Sequence, residues 1–224
     1  MREVLRSAAA VFRKDLRAEL RTRYAVSSIL LFALASVALV SFALRGEALT
    51  PRQHAALVWV VVFFAAATGL ARVFVQEADA GTELLLRQAA PPEAVWLGKL
   101  AFNAALLAAV EAVVFPVYSG LMYAAVERPW ELGAVAALGA VAISGCTTIL
   151  GAMVARARSR ASVFALTALP ILLPALLLLV QASAPAFGAG GAAGGGREAA
   201  MAVVSYTGIL MVLSWLLFPA VWEE

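Results

Sequence analysis

The 224 residues are 63% hydrophobic and only 14% charged, with a formal net charge of +3 and a mean hydropathy of +0.91; soluble domains run near 45–50% apolar and about 25% charged. So large an apolar excess cannot be folded into one aqueous core. It excludes an ordinary soluble enzyme or nucleic-acid-binding module and predicts one all-α, polytopic membrane domain spanning 1–224. The single cysteine, Cys146, sits inside an apolar run, so no internal disulfide is expected.

Residues 1–23 read as an amphipathic helix. Val4, Leu5, Ala8, Val11, Phe12, Leu16 and Leu20 share one face, and Arg2, Arg6, Arg13, Arg17 and Arg21 the neighbouring one. This predicts a helix lying in the membrane interface, with Arg13, Lys14, Arg17 and Arg21 toward anionic headgroups. The alternative is a solvated basic tail. Asp15 and Glu19 fall on the apolar side, where they either meet a protein partner or pair with nearby arginines. No short apolar core with a cleavage site follows, so the first span is expected to be retained.

Six apolar windows come next, at about 24–44, 55–75, 100–126, 132–155, 162–182 and 199–222. A helix needs about 20 residues to cross a hydrocarbon layer of about 30 Å, and lipid forces each span to be helical because unpaired backbone groups there cost several kcal/mol apiece. An even number of spans puts both termini on one side. Thirteen of the 17 Lys and Arg residues fall on that side, while Arg45, Arg52, Arg128 and Arg197 fall on the other. That bias predicts cytoplasmic termini.

Within the windows, a few residues stand out. His54, the only histidine, opens the second; imidazole can ligate haem, but an interfacial residue is the simpler reading. Glu111 falls near the middle of the third, where a charge costs on the order of 2.5–3.5 kcal/mol. It is expected either to hydrogen-bond a neighbouring helix or to serve a substrate or proton path. The fourth carries Ala136, Ala140, Ser144, Thr148 and Ala152 at i+4 spacing, a packing seam or an accident of an alanine-rich chain. Pro170 and Pro174 predict a kink in the fifth. The tract GAGGAAGGG, 188–196, reads as a slack linker or the top of a re-entrant excursion.

The most varied polar segment, QEADAGTELLLRQAAPPEAVWLGK, 76–99, lies between windows two and three. Gly81 breaks the preceding helix, Thr82 caps the next, and Leu84, Leu85 and Leu86 give it an apolar edge before Pro91-Pro92 stops it. A short helix laid across the ends of two spans can transmit a rigid push; a solvated hairpin is the alternative. The segment holds no phosphate cradle. Gly98-Lys99 is followed by Leu100, and Glu93 stands where a P-loop needs its first glycine. With no metalloprotease, serine-hydrolase or Cys/His motif either, no catalytic residue and no metal site are expected.

At this segment the chain resembles a family. Glu77, four residues before Gly81-Thr82, with Glu83, Leu85, Leu86, Pro91 and Gly98-Lys99, looks like the cytoplasmic loop of ABC-2-type permeases. More narrowly, FRKDLRAELRTRYAVSSILLFAL, Trp59, Asn103, Pro116 and the overall length are similar to CcmB, the family of membrane permease subunits of the cytochrome c maturation haem exporter. The resemblance implies a non-catalytic permease subunit. ATP would be used only by a separate CcmA-like ATPase, docked on Glu77, Asp79, Gly81, Thr82, Glu83, Leu84, Leu85, Leu86 and Arg87. CcmC-like and CcmD-like membrane subunits would be further partners. Haem would be transported or delivered cargo, not a tightly bound cofactor. Two other classes stay open: an ABC-2 exporter of polysaccharide, lipid or drug, and a non-transporting membrane scaffold.

Overall fold

The computed structural model describes all residues except Met1, Gly46, Ala71, 155–159, 189–192 and Glu224. Among the described residues nine α-helices follow in order: α1 (Arg2–Thr22), α2 (Tyr24–Ala43), α3 (Pro51–Gly69), α4 (Arg72–Asp79), α5 (Glu83–Ala89), α6 (Pro92–Leu121), α7 (Pro129–Val154), α8 (Arg160–Ser183) and α9 (Ala193–Glu223). Among the described residues six segments are long and apolar enough to cross a membrane: Tyr24–Ala43, Pro51–Val75, Pro92–Leu121, Pro129–Met153, Ala168–Phe187 and Gly195–Trp222. The chain is an all-α polytopic membrane protein, as its composition predicts.

Boundaries shift where local chemistry outweighs hydropathy. The second span starts at Pro51 because Thr50 and Gln53 form a capping box ahead of a first-turn proline, so His54 lies inside the first helical turn. The third starts at Pro92, with Pro91 extended as its N-cap, so Lys99 is a helical residue. The fifth span's helix, α8, runs through Pro170 and Pro174. Just ahead of the glycine tract, Ala184–Phe187 forms a 3-10 turn whose Ala186 carbonyl accepts from the N–H groups of Glu127 and Arg128. The tract's last residues already belong to α9; its middle, 189–192, lies outside the described residues.

Helix α7 packs on α6, α8 and α9, while α3 packs on α2 and α8, and α2 also meets α6. The main apolar core sits among these helices. Three polar contacts tie helices together there. Trp59 Nε1 donates to Ser183 Oγ at 3.0 Å, Asn103 Nδ2 to Thr148 Oγ1 at 3.2 Å, and Tyr206 Oη to the Ile171 carbonyl at 2.6 Å. Ala140, Ser144, Thr148 and Ala152 are buried, so the α7 stripe is a packing seam. Large apolar side chains that include Leu31, Leu39, Phe42, Ile209 and Leu216 face outward, as lipid-facing residues do.

Candidate functional site

A second apolar cluster caps one end of the bundle and draws on six helices: Ala8 and Val11 of α1, Phe74 of α4, Leu86 of α5, Trp96 of α6, Ala152 of α7, and Phe218 and Trp222 of α9. It lies where α1 crosses α6. Gly98 makes that crossing possible, since a Cβ there would stand 2.7 Å from the Ala8 carbonyl oxygen and 2.7 Å from Val11 Cβ. One residue on, Lys99 enters the space so opened and is 0% exposed.

Around Lys99 an ion cluster closes. Its Nζ lies 3.4 Å from Asp15 Oδ2, 3.3 Å from Glu77 Oε1 and 3.1 Å from the Val73 carbonyl, with the Phe74 ring centroid 5.0 Å away. Lys14 reaches in from α1, 3.2 Å from Asp15 Oδ1 and hydrogen-bonded to Glu77 Oε1. The remaining Glu77 oxygen, Oε2, accepts from the Thr82 hydroxyl at 2.6 Å. Two ammonium groups and two carboxylates thus balance. Burial, the largest influence on Glu77, pushes its carboxyl up; Lys99, Lys14 and Thr82 together outweigh it and hold the group down to about 2. For Lys14, burial pulls down but Asp15 and Glu77 win, and its pKa is raised.

This arrangement corrects two expectations. Among the described residues, Asp15 and Glu19 pair with groups of this chain other than arginines. Asp15 joins the cluster, and Glu19 Oε1 accepts from the Val26 N–H at 2.8 Å. That bond satisfies a free first-turn donor of α2, whose own N-cap Arg23 offers no side-chain bond. Their face of α1, with Ala8 and Val11, turns toward the bundle. The outward side carries Leu5, Leu16 and Leu20 beside exposed Arg13, Arg17 and Arg21, a surface suited to a membrane interface. Lys14, half exposed, divides its reach between that surface and the cluster. Thr82, in turn, makes no helix-capping bond, because its hydroxyl is spent on Glu77.

The short helix α5 stands on this base. Gly81 takes φ +64°, a left-handed conformation that glycine adopts freely, and the Thr82 N–H closes the turn on the Glu77 carbonyl at 3.1 Å. Leu86 is buried below, while Leu84 and Leu85 are 68% and 66% exposed. Arg87 bonds Glu83 at 2.8 Å and lies 5.3 Å from the centroid of Trp222, which stacks on Phe218. Asp79 is exposed. Of the nine expected docking residues, then, Glu77 and Leu86 face inward and Leu84 and Leu85 outward. Glu77 is a brace within the chain and not a charge on an outer rim.

At the opposite end, His54 Nδ1 and Tyr118 Oη are 3.2 Å apart, and the imidazole stacks on Phe187. It borders a cavity of about 590 Å³ lined also by Ser41, Arg45, Glu47 and Tyr123. Glu111 is buried against α7 and has no hydrogen-bond partner among the described residues. Among those residues no group of three or more His, Cys, Asp or Glu is placed to hold a metal ion.

Six helices able to span a membrane, with a short helix braced beside the ends of two of them, give the architecture of a multi-pass membrane subunit. The family model described as CcmB protein matches residues 6–219. The chain therefore belongs to the CcmB family, whose members are membrane subunits of the ABC-type haem exporter complex of cytochrome c maturation. No curated protein matches the chain significantly.

Proposed function

We propose that this chain couples ATP hydrolysis by a separate, CcmA-like subunit to haem export, or to release of haem-loaded chaperone, at the outer face of the bacterial inner membrane, beside CcmC-like and CcmD-like subunits. The observation that carries this reading is α5: two exposed leucines on a helix tied by Glu77 and Thr82 to both α1 and α6. A push on Leu84 and Leu85 reaches a span through a brace of buried ion pairs and not through slack chain. The basic, α1-bearing end would face the cytoplasm, with both termini there, in keeping with the distribution of Lys and Arg. Haem is cargo in this reading, and ATP acts only through the partner.

Apolar anchors contribute more to such an interface than rim charges. Leu85→Asp should therefore abolish co-purification of the ATPase and lower holo-cytochrome c yield, while Glu83→Gln leaves both near normal. The reading fails if Leu85→Asp retains the ATPase and supports normal cytochrome levels.

A further inference from the structure

Midway along α6 the bundle carries a groove against α7. Its volume is about 420 Å³; Phe115, Val126 and Leu132 line part of it, and the outward-facing part is small, with Ala108, Ala112, Gly133 and Ala137 all exposed and Pro116 beside them. Glu111 lines the same groove. It is 2% exposed, and neither carboxyl oxygen has a hydrogen-bond partner among the described residues. Ten residues, roughly 15 Å, separate it from the end of α6 at Leu121, about half the thickness of the hydrocarbon layer. A polar group left unpaired at that depth costs several kcal/mol.

The groove has a second acceptor. Pro116 has no N–H, so the carbonyl of Ala112, one turn earlier and also on the groove, lacks its usual intrahelical donor. Both groups call for donors, and α7 supplies none to Glu111. An acyl chain filling the groove would leave them unpaired, and a lipid headgroup does not reach this depth. A helix satisfies every condition: alanine and glycine walls admit a close backbone approach, and a side chain from it can donate to the carboxyl.

We propose that the α6–α7 groove is the seat of a transmembrane helix from another membrane subunit, one that presents a hydrogen-bond-donating side chain (Ser, Thr, Asn, Gln, Tyr, Trp, Lys or Arg) to Glu111. The seat is distinct from the α5 face, so ATPase recovery and recovery of this second subunit report separately, and either contact can fail alone.

The test uses the full chain in its native membrane complex. A photoreactive residue replaces Ala112 or Ala137, and adducts are mapped by mass spectrometry. The expected adduct is a transmembrane segment of a co-purifying subunit, with a donor side chain within one helical turn of the cross-link. In parallel, Glu111→Leu and Ala112→Leu should each lower recovery of that subunit roughly tenfold. Ala109→Leu, on the exposed face outside the groove, should leave recovery unchanged, and Glu111→Gln, which keeps an acceptor, should retain most of it. Purified alone, the Glu111→Leu chain should melt no lower than the parent, because it has lost an unpaired buried polar group and no partner within the chain. Adducts to lipid only, adducts to a second copy of this chain, unchanged recovery with Glu111→Leu, or a lower melting temperature of that variant alone would each overturn the proposal.

Discussion

Replacing Lys99 with Met should loosen the end of the bundle that carries α5. The substitution keeps a flexible apolar stem but removes the ammonium that Asp15 and Glu77 share at 3.4 and 3.3 Å. Both carboxylates are nearly buried, and they would be left with Lys14 alone, one cation for two anions. Removing one partner of a buried pair costs about 3–5 kcal/mol. Lys14 still reaches both acids and is half exposed, so water can soften the loss; the lower figure, about 3 kcal/mol, is expected. For a chain of this length each kcal/mol moves the melting temperature by about 2–4 °C, which gives a fall of roughly 6–12 °C in nanodiscs. Hydrogen exchange should rise first across residues 72–90, which the cluster braces. The double variant Lys99→Met with Glu77→Gln should cost less than the sum of its singles by about 1–2 kcal/mol, because the second change removes an anion that the first left unpaired. If Lys99→Met melts with the parent protein, or if the two changes are strictly additive, the cluster does not brace this end and the argument for a rigid α5 collapses.

Four further outcomes follow from the same geometry. Glu77 titrates at about 2 in the folded chain against an ordinary 4.5, so its contribution is complete above pH 4.5 and is lost as pH falls toward 2; Trp222 fluorescence should report loosening in that window, and in Lys99→Met at higher pH, whereas a pH-independent signal refutes the assignment. Gly98→Ala places a methyl 2.7 Å from the Ala8 carbonyl oxygen, which cannot swing aside, so α1 should lift from α6 at a cost of about 1–3 kcal/mol; trypsin should then cut within α1 faster, and an unchanged digestion rate would count against the crossing. Changing Arg13, Arg17 and Arg21 to Gln should weaken the hold of α1 on anionic membranes by roughly 1 kcal/mol per residue; nitroxide-lipid quenching of a fluorophore at position 10 should fall, and equal quenching in charged and neutral bilayers would exclude the interfacial role. A membrane-impermeant maleimide applied from outside should label Trp130→Cys and miss Leu85→Cys, and the reverse pattern would invert the assigned topology.

Much of this protein was legible in one dimension because a bilayer leaves few choices. Runs of about 20 apolar residues must be helices, and each of the six windows overlaps a helix long and apolar enough to span, with ends displaced by several residues. Local stereochemistry was equally direct at Gly81 and Pro91-Pro92, where φ and a missing N–H decide the backbone. The early start of the second span was missed, because a hydropathy window begins at residue 55 and passes over the capping box that Thr50, Pro51 and Gln53 form.

Which way the polar residues of α1 and the loop face was another matter. A helical wheel gives the angle between Asp15 and Leu16 but not which of them meets protein. The tertiary structure turns Asp15 and Glu19 inward, because Gly98 lets α1 approach α6 closely enough for Lys99, 84 positions from Asp15, to meet it. It also turns Glu77 from a presumed surface charge into the carboxylate that joins α1, α4, α5 and α6, for Lys14 and Lys99 come from separate elements and converge only once those elements pack. Sequence sets what each helix is and where it ends, since those depend on bonds and solvation within a few residues. Pairing among charges far apart in the chain is settled by packing, where a buried charge is tolerable only beside its opposite.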